Sequence, residues 1–238
     1  MREGLIEVLR RIEPHIQEMN CRIAPASFDP HDPELLAFPR ALDWQWRSCE
    51  DLLRAFGVHA VMMRLPLFWQ VEALLHAACH AAGAPIFTSE PDNMPVAAAA
   101  LRSVDIDCVV TAAPLAPAFA DYLVEEHTTL PNAWILIHEV GASEWTVPRA
   151  LASCAHVGQE VHLFPGVPLL WQCAALAQKK EAVFHVSEEF RAELGADATR
   201  ISNTDGDLLP SYISEFPVTL VKSGACTCGR MRVRRRGD

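Results

Sequence analysis

The apolar positions of this chain recur first at helical and strand spacings in alternation, and then, past about residue 159, mostly in short strand-like runs. Over residues 2–19, Leu5, Ile6, Val8, Leu9, Ile12 and Ile16 fall at helical intervals between Arg and Glu side chains, which predicts an amphipathic helix. A loop over 25–39 follows, where Asp29-Pro30, Asp32-Pro33 and Phe38-Pro39 interrupt helix and sheet alike. Residues 43–56 read as the next helix, closed by Gly57, and 58–63 as a short apolar strand.

The middle of the chain sets the fold class. A helix is expected over 67–82 ending at Gly83, a strand over 85–88, an alanine-rich helix over 95–103 and a strand over 106–111. A helix over 117–126 comes next, then a strand over 133–138, Ala-Trp-Ile-Leu-Ile-His, apolar enough to be buried on both faces. This alternation predicts an α/β fold with a mostly parallel sheet flanked by helices. Beyond residue 159, short strands are expected over 161–164, 182–186, 199–202, 207–213 and 218–221, interrupted by helical pieces over 169–178 and 187–194. The expected organisation is an α/β lobe with N-terminal helices over 1–158 and a smaller mixed or antiparallel β-rich lobe over 159–238 packed against it. No repeat or Gly/Ser linker separates the two.

Composition narrows the class of partner. At 238 residues, with half of them hydrophobic and 21% charged, the chain can bury roughly 70–75% of its unfolded surface and fold around a core. A formal net charge of -10 argues against a nucleic-acid partner, which requires clustered positive charge. The one basic run, Arg230-Met231-Arg232-Val233-Arg234-Arg235-Arg236, alternates as an exposed strand or frayed tail would, with an acidic-partner contact as the competing reading. There is no run of about 18 apolar residues and no secretory leader pattern, so the expectation is a cytoplasmic protein with no membrane partner. Its eight cysteines are expected as reduced, mostly buried thiols.

The stretch Phe216-Pro217-Val218-Thr219-Leu220-Val221-Lys222-Ser223-Gly224-Ala225-Cys226-Thr227-Cys228-Gly229-Arg230 resembles a segment of the phenylacetate-CoA ligase-like adenylate-forming enzymes. There a strand ends in Arg-Tyr-Arg-Thr-Gly-Asp and a Cys-x-Cys-Gly-Arg element follows. Other pieces fall in the same order. Val161-His162-Leu163-Phe164-Pro165-Gly166-Val167-Pro168 stands where the family has Tyr-Gly-x-Thr-Glu, and Phe184-His185-Val186-Ser187-Glu188-Glu189 resembles its His-x-x-Glu-Asp strand. Gly206-Asp207-Leu208 matches its Gly-Glu-Leu turn loosely. The resemblance spans about residues 52–236 and implies the large domain of an AMP-forming ligase.

The departures bear on activity. The family's Asp that holds the ribose hydroxyls of ATP is matched by Ala225, and residues 164–168 supply no carboxylate for Mg²⁺. No Ser/Thr/Gly-rich phosphate loop occurs anywhere; the nearest segment, Thr111-Ala112-Ala113-Pro114-Leu115, has one hydroxyl and no glycine. The family's C-terminal catalytic lobe, which carries a charge-neutralising Lys, is expected to be missing. The sequence therefore predicts a degenerate relative without autonomous ligase activity or catalytic residues, binding a small carboxylate or a protein partner, with self-association as a further option and no cofactor expected. The alternative is a divergent or split acyl- or aryl-CoA ligase that needs a second chain.

Candidate ligand-binding residues follow from strand ends and motif positions: His138, Glu139, His162, Phe164, Gly166, Lys222 and Ala225. Ordinary loop polarity at a capped strand end is the rival account of His138 and Glu139. Cys226 and Cys228 are candidate metal ligands, with Cys173, His162 and His185 as distant partners for zinc. A small-residue turn is the competing account. His76 and His80, at i and i+4, fit either a metal pair or a polar stripe on an apolar helix.

Overall fold

The computed structural model describes residues 47–65, 75, 78–139, 145, 147–162, 168–173, 183–186, 190–194, 199–203, 220–226 and 230–236. All belong to the compact unit Gln45–Asp238. The helix expected over 2–19, the loop over 25–39 and the strand over 207–213 lie outside them.

Chain order is α1 (Arg47–Ala55), β1 (Val61–Arg64), β2 (Ile86–Thr88), α2 (Met94–Ser103), β3 (Cys108–Ala112), α3 (Ala116–Glu125), β4 (Ala133–Glu139) and β5 (His156–His162). Then come β6 (Pro168–Gln172), β7 (Val183–Val186), β8 (Phe190–Leu194), β9 (Thr199–Asn203), β10 (Leu220–Ala225) and β11 (Met231–Arg235). Nine strands form one sheet in the order β10-β11-β7-β6-β5-β4-β3-β1-β2, and β8 and β9 form a separate antiparallel pair. The strands from β2 to β5 are parallel. From β6 outward every pairing is antiparallel. The expected α/β class with a mostly parallel sheet and helices on its faces is the class found.

Strand alternation sorts the core. Val61, Met63, Cys108, Val110, Ala133, Ile135 and Ile137 point to one face and pack with Leu52, Leu53 and Phe56 of α1. Met62, Val109, Trp134 and Leu136 point to the other, against Ala97 and Ala98 of α2 and Phe119, Ala120 and Leu123 of α3. Both faces of β1, β3 and β4 are thus covered, which is why those strands read as unbroken apolar runs.

Local chemistry fixes the joints. Gly57 (φ 65) and Gly83 (φ 77) end helical segments in the left-handed conformation, and each end carries the paired backbone bonds of a Schellman motif. These are Gly57 N–H to Arg54 O with Val58 N–H to Leu53 O, and Gly83 N–H to His80 O with Ala84 N–H to Cys79 O. The Asp107 carboxylate, just before β3, accepts from His59 and Ala60 N–H at 3.0–3.1 Å, pinning the approach to β1. Asn93 caps α2 by accepting from Val96 N–H. Gly158 of β5 lies where a Cβ would meet the Phe56 ring at 3.0 Å, so only a glycine lets α1 sit this close.

Two expectations are corrected. Residues 169–172 belong to strand β6 and residues 190–194 to strand β8, where helical pieces had been expected over 169–178 and 187–194. Short runs such as Leu169-Leu170-Trp171-Gln172 satisfy either period, and pairing with β5 and β7 decided for the strand. The strand expected from residue 161 begins earlier, at His156. The basic run forms β11 and lies inside the sheet, between β7 and β10, with Val233 buried and Arg232 and Arg234 on the opposite face.

Candidate functional site

The carboxyl ends of the parallel strands carry polar side chains inside an otherwise apolar layer. Arg64 ends β1 and pairs in register with Thr111 of β3; Thr111 pairs with Leu136 of β4, and Leu136 with Gln159 of β5. Alternation puts Arg64, Thr111, His138 and Gln159 on one face of the sheet, the face that packs against α2 and α3. All four are buried. An apolar strand is specified up to its last residues, and the polar ones sit where ligands approach open α/β sheets.

Arg64 is 1% exposed, with its guanidinium 3.6 Å from the centroid of the Phe119 ring and a hydrogen bond donated to the Pro91 carbonyl. Burial lowers it to about 10, opposed by the charge of Asp92, so it remains a cation at neutral pH. Its backbone carbonyl accepts the Thr111 hydroxyl at 2.9 Å, and its Nε is buried without a hydrogen-bond partner among the described residues. Burial lowers His138 to about 4; the neighbouring Gln159 amide works against that shift and His162 works with it. His138 is therefore a neutral imidazole, and its Nε2 is also buried without a partner among the described residues. A fixed cation with an unpaired N–H and a neutral imidazole two strands away form a setting for an anionic or carboxylate group.

The opposite face has its own pair. His162 Nε2 lies 2.9 Å from Glu160 Oε2, and both side chains are 3% exposed. Residues i and i+2 of a strand share a face, so the pair is built into β5 alone.

Of the residues singled out from sequence, His138, Glu139 and His162 meet at the ends of β4 and β5, where Glu139 and His162 are in register. His138 faces away from His162 across the sheet. Lys222, exposed, and Ala225 lie on β10 at the sheet's edge, four strands from β5 and so about 19 Å from it. Phe164, Gly166 and Cys228 are outside the described residues, as is His76; His80 is exposed. Arg64, Thr111, Gln159 and Glu160 were not singled out. The available signal was a polar residue at the end of an apolar strand, as in Val61-Met62-Met63-Arg64.

Cys226 does meet two of its sequence-distant candidates. Cys173 Sγ is 3.3 Å from Cys226 Sγ, and one ligand atom from each of Cys173, His185 and Cys226 falls within 4.8 Å of the others. His162, the remaining candidate partner, pairs instead with Glu160. His185 Nδ1 is 3.1 Å from the carbonyl of Met231, and its ring is tilted against Trp171, over which the Arg230 guanidinium sits 4.9 Å from the ring centroid.

No protein-family model matches the chain, and no curated protein matches it. Among solved structures, it is similar to a double mutant of o-succinylbenzoate CoA synthetase (MenE) from Bacillus subtilis bound with a product analogue, with TM-score 0.51 and 8% identity over 82% of this chain and 45% of the synthetase. A MenE variant from E. coli gives TM-score 0.46 and 13% identity over 82% of this chain and 44% of that one. An AMP-forming acyl-CoA synthetase/AMP-acid ligase II-like protein from Dyadobacter fermentans gives TM-score 0.46 and 13% identity over 81% and 53%. The chain thus spans about half the length of these structures or less. The Bacillus likeness shows that this chain shares its fold with part of that synthetase.

Proposed function

We propose that this chain is a degenerate relative of the AMP-forming ligases that binds a small acyl or aryl carboxylate without activating it. The observation that carries the reading is the buried polar face at the strand ends, where Arg64 Nε and His138 Nε2 both lack partners among the described residues. Burying such atoms unpaired costs about 1–3 kcal/mol each, which a carboxylate accepting from them would recover. The absence of nucleotide chemistry rests on the sequence: no glycine-rich hydroxyl loop, Ala225 in place of the ribose-binding Asp, and no carboxylate in 164–168.

A second reading, a divergent ligase or one half of a split ligase, draws support from the fold shared with the Bacillus synthetase. Calorimetry with benzoate- and acyl-type carboxylates, with and without ATP and Mg²⁺, separates the two. Carboxylate binding that weakens at least about tenfold in Arg64→Met and in His138→Ala, with no pyrophosphate release, is the expected result. Pyrophosphate release by the chain with a suitable acid selects the ligase. If no carboxylate binds the folded protein, the carboxylate-binding reading fails.

A further inference from the structure

We propose that Cys173, His185 and Cys226 form a zinc centre that fastens together the antiparallel part of the sheet. The three come from separate places: Cys173 follows β6, His185 lies within β7, and Cys226 follows β10. Long-range pairing alone brings them together, since 53 positions separate the two cysteines. Cys173 and His185 are buried, and Cys226 is partly exposed.

Three features suit a metal better than a simple cysteine contact. The Sγ atoms are 3.3 Å apart, well beyond the roughly 2.05 Å of a disulfide, and a disulfide would give the imidazole no role. The His185 Nδ1–H donates to the Met231 carbonyl, which places the ring proton on Nδ1 and sets the ring plane. This is the arrangement in which metal-binding histidines are held by an outer hydrogen bond. The backbone is shaped for it: β10 shifts register between Lys222 and Ala225, Gly224 takes φ 93, and the Cys226 N–H donates to the Arg230 carbonyl.

The donor set selects the ion. Two thiolates and one imidazole suit zinc, and two thiolate charges neutralise a divalent ion in a largely buried site. Binding releases the thiol protons, and the fourth tetrahedral position falls to water or a further donor. By joining the ends of β6 and β10 to β7, the ion would supply a constraint between strands distant in the chain. Nothing in this inference depends on carboxylate binding or on ligase activity.

The test uses the full chain, purified under reducing conditions. Elemental analysis is expected to give about one zinc per chain. Replacement by Co²⁺ is expected to give a thiolate-to-cobalt charge-transfer band with the visible bands of a tetrahedral site. Cys173→Ser, His185→Ala and Cys226→Ser should each weaken zinc retention more than about tenfold. Cys154→Ser, in the apolar cluster against α3, should leave it unchanged. Removing zinc with a chelator should lower Tm by on the order of 5–10 °C. Where a ligand variant fails to fold, the wild-type cobalt spectrum decides. Folded, reduced wild-type protein with neither zinc nor a cobalt charge-transfer band overturns the proposal. A Cys173–Cys226 disulfide in protein made without reductant, with no cobalt spectrum after its reduction, overturns it as well.

Discussion

The two parts of the nine-stranded sheet are built on different terms. In the parallel part, β1, β3 and β4 are apolar on both faces and covered by helices on each side, so shape and burial hold them. In the antiparallel part, β11 buries only Val233, while Gln172 and His185 are buried polar residues on β6 and β7. There, the buried Leu170, Phe184, Leu220 and Val233 are joined by an Arg230–Trp171 contact and a Cys/His cluster. Thiols show the same contrast. Burial raises Cys49 and Cys108 well above the usual thiol value and pushes Cys79 up to about 12, keeping all three protonated, whereas Cys226 is partly exposed beside a second thiol and an imidazole. One sheet thus joins a region stabilised by packing to a region that needs specific polar partners.

Truncation is the most forceful way to break this comparison. Trp134, fully buried against Phe119 with its indole N–H on the Pro131 carbonyl, should cost about 3–5 kcal/mol as Trp134→Ala. Val233→Ala in β11 should cost about 2 kcal/mol. Denaturant unfolding of both variants measures the gap, and equal losses would mean the antiparallel part is as dependent on apolar packing as the other.

Acid comes next. His138 is neutral in the folded chain down to about pH 4, while an imidazole in the unfolded chain protonates near 6.5. The unfolded state therefore takes up the proton first: the stability associated with His138 is intact above about pH 6.5 and declines as pH falls toward 4. The full loss is on the order of 3 kcal/mol. Unfolding curves at pH 7 and pH 4.5 should show a smaller acid loss in His138→Gln than in wild type, and identical losses would refute the assigned burial of a neutral ring.

The smallest effect probes the ion pair between the β10–β11 turn and α1. Arg230 Nη1 lies 3.7 Å from the Asp51 carboxylate, and both side chains are solvent-accessible. Asp51→Asn should change stability by less than about 0.5 kcal/mol, measured by the same unfolding curves in low and high salt. A larger, salt-sensitive loss would show that the two parts are coupled electrostatically.

How far the sequence could be read follows the same division. Strands such as Cys108–Ala112 and Ala133–Glu139 were legible because both faces are apolar, and β1 and β2 because Gly57 and Gly83 end the helical segments before them. Residues 169–172 and 190–194 were misread as helical because short runs fit either period until a neighbouring strand supplies hydrogen bonds. His138 could be found from its place at a strand end. Arg64 also ends an apolar strand, but nothing local distinguishes a buried Arg stacked on Phe119 from a solvated one.

What the sequence by itself determined is therefore the α/β class and the parallel order of alternating elements. These depend on local periodicity and on residue types, which are present in the chain before it folds. Only the tertiary structure decided that Cys173, His185 and Cys226 adjoin, that Lys222 and Ala225 lie four strands from β5, and which faces His138 and His162 occupy. Antiparallel pairing between residues far apart in the chain fixes those distances, and no local pattern encodes which distant strand a segment will join.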